Sequence, residues 1–551
     1  MKKLYFLAIL VAFSTPLLAQ LNTCLLVKDI NPGTSNSLPA NKIVFKNKVF
    51  FNATDTVNGA ELWSTDGTTA GTQLLKDILP GKTTSAAAGM IIYKDFMYFQ
   101  ANDGVNGLEL WRTDGTTAGT TLFKDIYVGL TGSAPFNFNI VNDKLFFRAT
   151  DATNGAEAWI SDGTVAGTVL LKDINLTPAT GSTVGASTLF KGKLYFSAID
   201  SSSGAEVWST DGTAAGTTRL KDVNAGKGGS TPLFFTVAGN NMYFRAFDSL
   251  AGTEIWKTDG TEAGTVLLKD IVPGAGTALS SNPTQYKAWG NKLIFTAIGA
   301  EGSEPWITDG TTAGTVLVKD INTTTVSSGN STPTTFTEYN NKIFFRANDG
   351  VTGIELWETD GTAAGTKIVK DIDPTNSGTP ANFATYGKKL YFQANDGTNG
   401  VELWESDGTA VGTKMTCEFR AATGGGGPSL IDPMLGKLFM SAVNDTSGTE
   451  LFTYSTALGV GTKDFKNVSF SLKAYPSVAS ESINVEILSN DNNAAELQLT
   501  NLLGQSFLAK KCALTQGSQT EILNISTLPN GLYFVTLAVG DERAVVKFVK
   551  Q

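Results

Sequence analysis

Short apolar runs recur along most of the chain, each bounded by Gly, Asn, Asp or Thr. Residues 135–174 show the pattern. A weak run, "PFNFNIV" (135–141), precedes the compact aromatic "KLFFRAT" (144–150). "GAEAWIS" follows after the turn-like "DATNG", and "VLLKDI" follows after "DGTVAGT". Runs of this length between turn-forming residues are the signature of strands and hairpins. No stretch in the unit holds a helical period for three turns. The pattern predicts four antiparallel strands, taken here as first to fourth.

The unit repeats. The triplet DGT begins at Asp66, Asp114, Asp162, Asp211, Asp259, Asp309, Asp360 and Asp407, at intervals of 47 to 51 residues. Four strands at a period near 48 predict an all-β fold built of β-propeller blades. "CLLVKDI" (24–30) has the form of a fourth strand with no DGT before it. "GKLFMSAVNDTSGTELFTYS" (436–455) supplies second and third strands but no fourth, with Phe452 where other units carry Trp. Pairing these ends makes a ninth unit and removes open sheet edges. The alternative is eight blades with the terminal pieces packed outside the ring.

Each turn residue has a physical task. Asp66 is expected to bond the backbone ahead of it in an Asx-turn, and Gly67 and Gly71 to take positive φ. Thr68 and Thr72 add hydroxyl bonds. "DGTxxGT" is then the hairpin between third and fourth strands. A-x-D-x-x-x-G-x-E (Ala101, Asp103, Gly107, Glu109; again Ala347, Asp349, Gly353, Glu355) is the hairpin between second and third. The sixth unit departs from it, with Gly299 in the Asp position and one residue fewer before Glu304.

Composition narrows the chemistry. The chain has 551 residues, a formal net charge of −9, and no His. Ser-His-Asp and Cys-His arrangements, His-ligated zinc and a His general base are therefore excluded. The Lys and Arg residues are scattered, which argues against nucleic-acid binding. Cys24, Cys417 and Cys512 have neither disulfide-framework nor CxxC spacing. One pair is free to form, and spacing does not choose it.

"MKKLYFLAILVAFSTPLLAQ" reads as a signal peptide (1–20): a basic start, a short apolar run, then small residues. No later segment is long and apolar enough for a membrane helix. The repeats are expected over 21–455 and a linker over 456–470. A small β-sandwich is expected over 471–551, from alternating strands such as "SINVEIL" and "LYFVTL" and the turns "LLGQ" and "LPNG".

This tail resembles the type A C-terminal sorting domain of the Bacteroidetes type IX secretion system (Por secretion system). The resemblance rests on "YPS", "LTNLLGQ", "ISTLPNGLYFVTL" and the basic end "VVKFVK". The family usually opens Tyr-Pro-Asn-Pro, from which Ser477 and Val478 depart. The resemblance implies engagement of the type IX secretion machinery, passage through the periplasm, and a secreted or cell-surface location. Units 24–455 resemble the ELWxxDGT repeat family, which brings no catalytic residues with it.

Two sets of recurring residues are candidates for a binding role. Trp63, Trp111, Trp159, Trp208, Trp256, Trp306, Trp357 and Trp404 suit sugar stacking, as in a lectin, or packing between blades; packing is favoured, and Phe452 fits it. Trp289, outside the repeat register, is the better exposed candidate. Glu61, Glu109, Glu157, Glu206, Glu254, Glu304, Glu355, Glu402 and Glu450 stand two residues before the aromatic. They are expected to pair with Lys of "LKDI", such as Lys76, Lys124 or Lys319, since a buried charge needs a partner. Ca²⁺ is the alternative partner, although the spacing matches no Ca²⁺ loop. "GGGG" (424–427) lacks the Lys-Ser/Thr of a phosphate loop and reads as a flexible connection. No carboxylate pair stands apart from the repeat as glycosidase chemistry would require. No catalytic or cofactor-binding residue is assigned and the metal question stays open. The expectation is an exported, non-enzymatic scaffold or adhesion module for an unidentified extracellular glycan or protein, with a polymer-degrading hydrolase as the alternative.

Overall fold

The computed structural model describes residues 24–274, 279–324, 329–420, 424–455, 470–476, 478–489, 492, 494–501, 506–539 and 542–551. The expected signal peptide, the greater part of the expected linker and the "LLGQ" turn lie outside the described residues. The chain divides into two compact units on either side of Thr456.

The first unit contains nine four-stranded antiparallel sheets and, among the described residues, no α-helix. Repeat 1 is typical, with strands Ala40–Phe45, Lys48–Asp55, Gly59–Thr65 and Gln73–Lys76 in that order across the sheet. Its second strand runs Lys-Val-Phe-Phe-Asn-Ala, and Val49, Phe50, Phe51 and Ala53 are all buried. Consecutive side chains on one strand point to opposite faces, so burial of consecutive residues means that both faces are covered. Phe50 lies in a cluster with Met97 and Phe99 of repeat 2, whereas Phe51 lies with Phe439 and Leu451 of repeat 9. Neighbouring sheets thus share cores on both sides in a propeller-like arrangement.

Neighbouring sheets also meet through their first strands, from repeat 1 to repeat 9. Repeats 9 and 1 meet there too: Lys42 Nζ donates to Leu430 O at 2.7 Å and pairs with Asp432 at 3.0 Å. The ninth sheet is composite. Cys24–Lys28 pairs antiparallel with Gly448–Tyr454 and completes a sheet whose other strands are Lys437–Asn444 and Ser429–Met434. The terminal strands therefore join one sheet. A disulfide between Cys24 and Cys417 fastens this outer strand to the outer strand of repeat 8.

The DGTxxGT hairpin is built as the sequence suggests, with one correction. Asp66 Oδ1 accepts from Thr68 N at 2.9 Å and Thr68 Oγ1 at 2.7 Å, and Thr72 Oγ1 donates to Thr68 O at 2.6 Å. Gly67 has φ +87°, but Gly71 does not enter the left-handed region. Gly71 is required because a Cβ there would fall on the Asp66 carboxylate. Gly71→Ala should therefore displace the Asx-turn and cost about 1–3 kcal/mol. Gly67→Ala meets only ordinary neighbours and should cost about 1 kcal/mol for its φ. Denaturant titration of the two variants checks the order.

The second unit is all strand among its described residues. One sheet joins Phe470–Tyr475, Ser482–Ser489 and Gly517–Asn524. A five-stranded sheet contains Val478–Ala479, Glu542–Lys550, Gly531–Val539, Ala494–Asn501 and Ser506–Ala513, in that order. Alternate residues from the two sheets, including Ile483, Val485, Leu497, Leu499, Val535 and Leu537, form one apolar core.

Candidate functional site

The nine recurring Glu residues are all fully buried. Among the described residues none is paired with Lys. Each holds the connection that leaves the fourth strand for the next sheet. Glu109 accepts from Ile126 N and Tyr127 N at 2.9 Å, from Ser133 N at 2.8 Å and from Ser133 Oγ at 2.6 Å. In Glu157 and Glu206 the hydroxyl donors are Ser182 and Ser230, each at 2.6 Å. Gly378 N and Gly426 N replace the Ser in repeats 7 and 8. Glu450 makes the same bonds across the seam, from Ile30 N, Asn31 N and Ser37 Oγ.

The expected Glu–Lys pairing fails for a geometric reason. Lys76 stands directly opposite Leu62, so it shares the face of Leu62 and not that of Glu61. It reaches forward instead. Lys76 Nζ donates to Thr120 O of repeat 2 at 2.7 Å and lies 5.9 Å from the Trp111 ring. Lys124 and Lys319 make the same forward bond, to Thr168 O and Thr366 O. Nor do the Glu oxygens suit Ca²⁺, since they face N–H and O–H donors rather than carbonyls. Among the described residues no group of three or more Asp, Glu, Cys or His is placed to hold a metal.

Burial pushes the Glu61, Glu254, Glu355 and Glu450 carboxyls up to about 7 and Glu206 to about 6, against the opposing pull of their donors. The turn carboxyls move the other way: the Thr68 hydroxyl and N–H lower Asp66, as Thr116 lowers Asp114. A folded-state pKa above the unfolded value means that the folded protein binds more protons between the two. Stability therefore falls as pH rises from about 4.5 to 7. The lowered Asp groups contribute stability that is lost as pH falls below about 4. The melting temperature should peak in mild acid and be lower at pH 8, as calorimetry across a pH series would show.

The recurring Trp residues are packing residues. Trp111 is 5% exposed and lies against Phe45, Phe50 and Leu62 of the preceding sheet. Trp289 also departs from its expected role: it ends the first strand of repeat 6, where Phe45 and Tyr93 stand in repeats 1 and 2. It is half-buried and packs near Gly361. Gly424–427 forms the connection into the ninth sheet, with Gly426 serving as the donor to Glu402.

The two ends of the first unit differ in kind. One carries the DGTxxGT hairpins, seven residues in every repeat from 66–72 to 407–413, and the short turns between first and second strands. The other carries the second hairpin and the connections between sheets, which abut each other: a Cβ on Gly59 would strike the carbonyls of Lys82 and Thr83. These connections vary, spanning 77–87 after repeat 1 but 173–186 after repeat 3 and 270–283 after repeat 5. Apolar side chains stand exposed here, among them Val57 (69%), Val105 (68%) and Val128 (83%). The hairpin end also exposes Val165 and Val411, so it is variation in connection length that collects at one end.

The second unit defines a class of protein: cargo carrying an export address. Residues 473–551 match the family described as the secretion system C-terminal sorting domain. The protein is exported through the type IX system to the outer surface or the medium, and this domain implies contact with the secretion machinery. No helix among the described residues is long and apolar enough to cross a membrane. No curated protein sequence matches the chain. Solved structures overlap it loosely. They include a puromycin hydrolase (12% identity, 67% of this chain and 60% of that one, TM-score 0.33). Sqt1 of Saccharomyces cerevisiae overlaps at 11% identity (68% and 97%, TM-score 0.36). Prolyl oligopeptidase B of Galerina marginata overlaps at 12% identity (67% and 56%, TM-score 0.36). The chain thus spans about 60% of the length of the puromycin hydrolase. Overlaps of this kind are too loose to transfer an activity.

Proposed function

We propose that the first unit is a nine-bladed, ring-closed β-propeller acting as a non-enzymatic binding module at the cell surface or in the medium. The export domain, read as a β-sandwich over 471–551 behind a linker at 456–470, delivers it there. The ligand is an extracellular polysaccharide or protein. The observation that carries this reading is the asymmetry of the two ends, with hairpins of constant length and DGTxxGT frame on one and connections of variable length on the other. Loops set on a rigid scaffold are where binding residues concentrate. Fold alone does not set function, so the test must be biochemical. The exported protein should retain a glycan or surface protein in an array or pull-down and release no products from polysaccharide or peptide substrates. Turnover of any polymer, abolished by one carboxylate substitution, would establish the hydrolase alternative.

A further inference from the structure

Within the second strand of each repeat one position breaks the apolar run. It holds Asn52, Gln100, Arg148, Ser197, Arg245, Thr296, Arg346, Gln393 and Ser441 in repeats 1 to 9. In every repeat but the fourth this residue stands directly opposite the first residue of the repeat's first strand, as Phe136 stands opposite Arg148 and Leu233 opposite Arg245. That places it beside the inner lip, at the end that carries the variable connections. Two of the short side chains bridge to the next repeat. Asn52 Nδ2 donates to Ala87 O, and Thr296 Oγ1 donates to Pro333 O at 2.5 Å.

The three arginines, in repeats 3, 5 and 7, differ from these. All are half-buried. No ion pair among the described residues involves them, although Arg219 and Arg420 both pair with Asp. Arg148 Nε is buried with no partner. Its guanidinium lies 5.9 Å from the Phe136 ring, and that of Arg245 lies 5.0 Å from the Phe234 ring. Arg346 Nε donates to Thr334 Oγ1 at 2.7 Å. The two Phe rings, 48% and 39% exposed, are left open to solvent. Phe234 is held at φ +60° at a bulge in the first strand. The same bulge holds a positive φ at Asn41, Asn137, Gln285, Thr335, Asn382 and Leu430, so this backbone belongs to the repeat and serves here only to present the Phe234 ring.

We propose that this inner lip binds an anionic polysaccharide, with Arg148, Arg245 and Arg346 taking its carboxylate or sulfate groups and Phe136 and Phe234 its sugar rings. The inference rests on the binding-module reading and names the ligand class. Arginine's planar fork of donors matches both oxyanions. In a chain of net charge −9, guanidiniums without carboxylate partners are set apart from the general surface. A nucleic acid fits less well, because phosphate backbones are held by a basic stripe that makes many contacts.

The test uses the full chain and four probes: polygalacturonate, dextran sulfate, uncharged dextran and oligo-dT. The wild type should bind polygalacturonate, dextran sulfate or both, and not dextran; which of the two identifies the oxyanion. R148Q/R245Q/R346Q should bind at least about tenfold more weakly, a loss of about 1.4 kcal/mol or more, with an unchanged melting temperature. Gln already occupies this position in repeats 2 and 8, as Gln100 and Gln393. Should the triple variant misfold, Arg148→Gln and Arg245→Gln singly must each weaken binding severalfold. Undiminished binding by the folded variants, oligo-dT binding as tight as the sugar polymers, or no binding of either anionic polymer would overturn the inference. Retention of dextran or a protein ligand in that last case would leave the binding-module reading standing.

Discussion

Loss of the Cys24–Cys417 disulfide, by Cys417→Ser or by a reductant, should lower the melting temperature of the nine-sheet unit by about 5 °C. The bridge joins residues 393 apart in sequence. In the chain-entropy view a cross-link across so long a loop restricts the unfolded chain by an amount worth on the order of 5 kcal/mol. Spread over the unfolding entropy of a unit of this size, that becomes a shift of about 5 °C. The native state adds a local reason. The four-residue-wide contact of Cys24–Lys28 with the ninth sheet is the only strand pairing that joins the chain's two ends within the first unit among the described residues. Without the bridge this strand sits at a sheet edge, tied through its own ladder, Glu450 and the Lys28 bond to Thr72 O. The shift should be seen by calorimetry with and without reductant. Cys512→Ser, which removes the free thiol of the second unit, should leave the transition in place. Equal melting of oxidised and reduced protein would show that the other seam contacts suffice.

What the sequence made legible follows from distance along the chain. The hairpins are local, so Asp66, Thr68 and the strands on either side could be assigned from spacing alone. The ninth sheet was also legible, because "CLLVKDI" lacks a partner at one end and "GTELFTYS" lacks one at the other. Residues that act across a gap between sheets were harder to read. The Ser donors to the Glu carboxylates lie 24 to 27 residues further on, for example Ser133 to Glu109 and Ser281 to Glu254. They stand in connections of varying length and give way to Gly378 and Gly426, where backbone N–H does the same work. A recurring Ser shortly before the start of seven of the nine first strands was the available signal. The direction of Lys76 needed the strand register, since a one-residue offset sends a side chain to the other face. The cysteine pairing needed the sheet order, because only adjacent outer strands bring Cys24 to Cys417. Arg148, Arg245 and Arg346 were visible as polar breaks in "FFRA" and "YFRA", yet their alignment on one lip emerges only when the repeats are superposed as sheets.

Glu450→Ala should be among the most damaging single substitutions in the first unit, costing about 3–5 kcal/mol. Its carboxylate accepts from Ile30 N at 3.1 Å, Asn31 N at 3.3 Å and Ser37 Oγ at 2.6 Å, all in buried surroundings. Truncation leaves these donors without an acceptor, and each unpaired buried donor costs about 1–3 kcal/mol. Water entering the gap recovers part of that sum. The same change at Glu402 removes bonds to Phe419 N, Arg420 N and Gly426 N. Those donors lie 17 to 24 residues away on a connection anchored by strands on both sides, so the damage there stays local. At Glu450 the donors lie 413 to 420 residues away, on the segment that runs from the outer strand of the ninth sheet into the first sheet. The two variants should therefore lose similar stability in denaturant, while limited proteolysis separates them: Glu450→Ala exposes the segment around residues 29–39 and Glu402→Ala does not. Glu450→Gln provides the charge control. It keeps one acceptor oxygen but turns an NH₂ toward the remaining donors, so it should lose less than Ala. It should also flatten the fall in stability between about pH 4.5 and 7, because burial raises the Glu450 carboxyl to about 7 and the amide does not titrate. A Gln variant whose pH profile matches the wild type would place that titration on the other buried carboxyls, with Glu450 remaining ionised and held by its three donors.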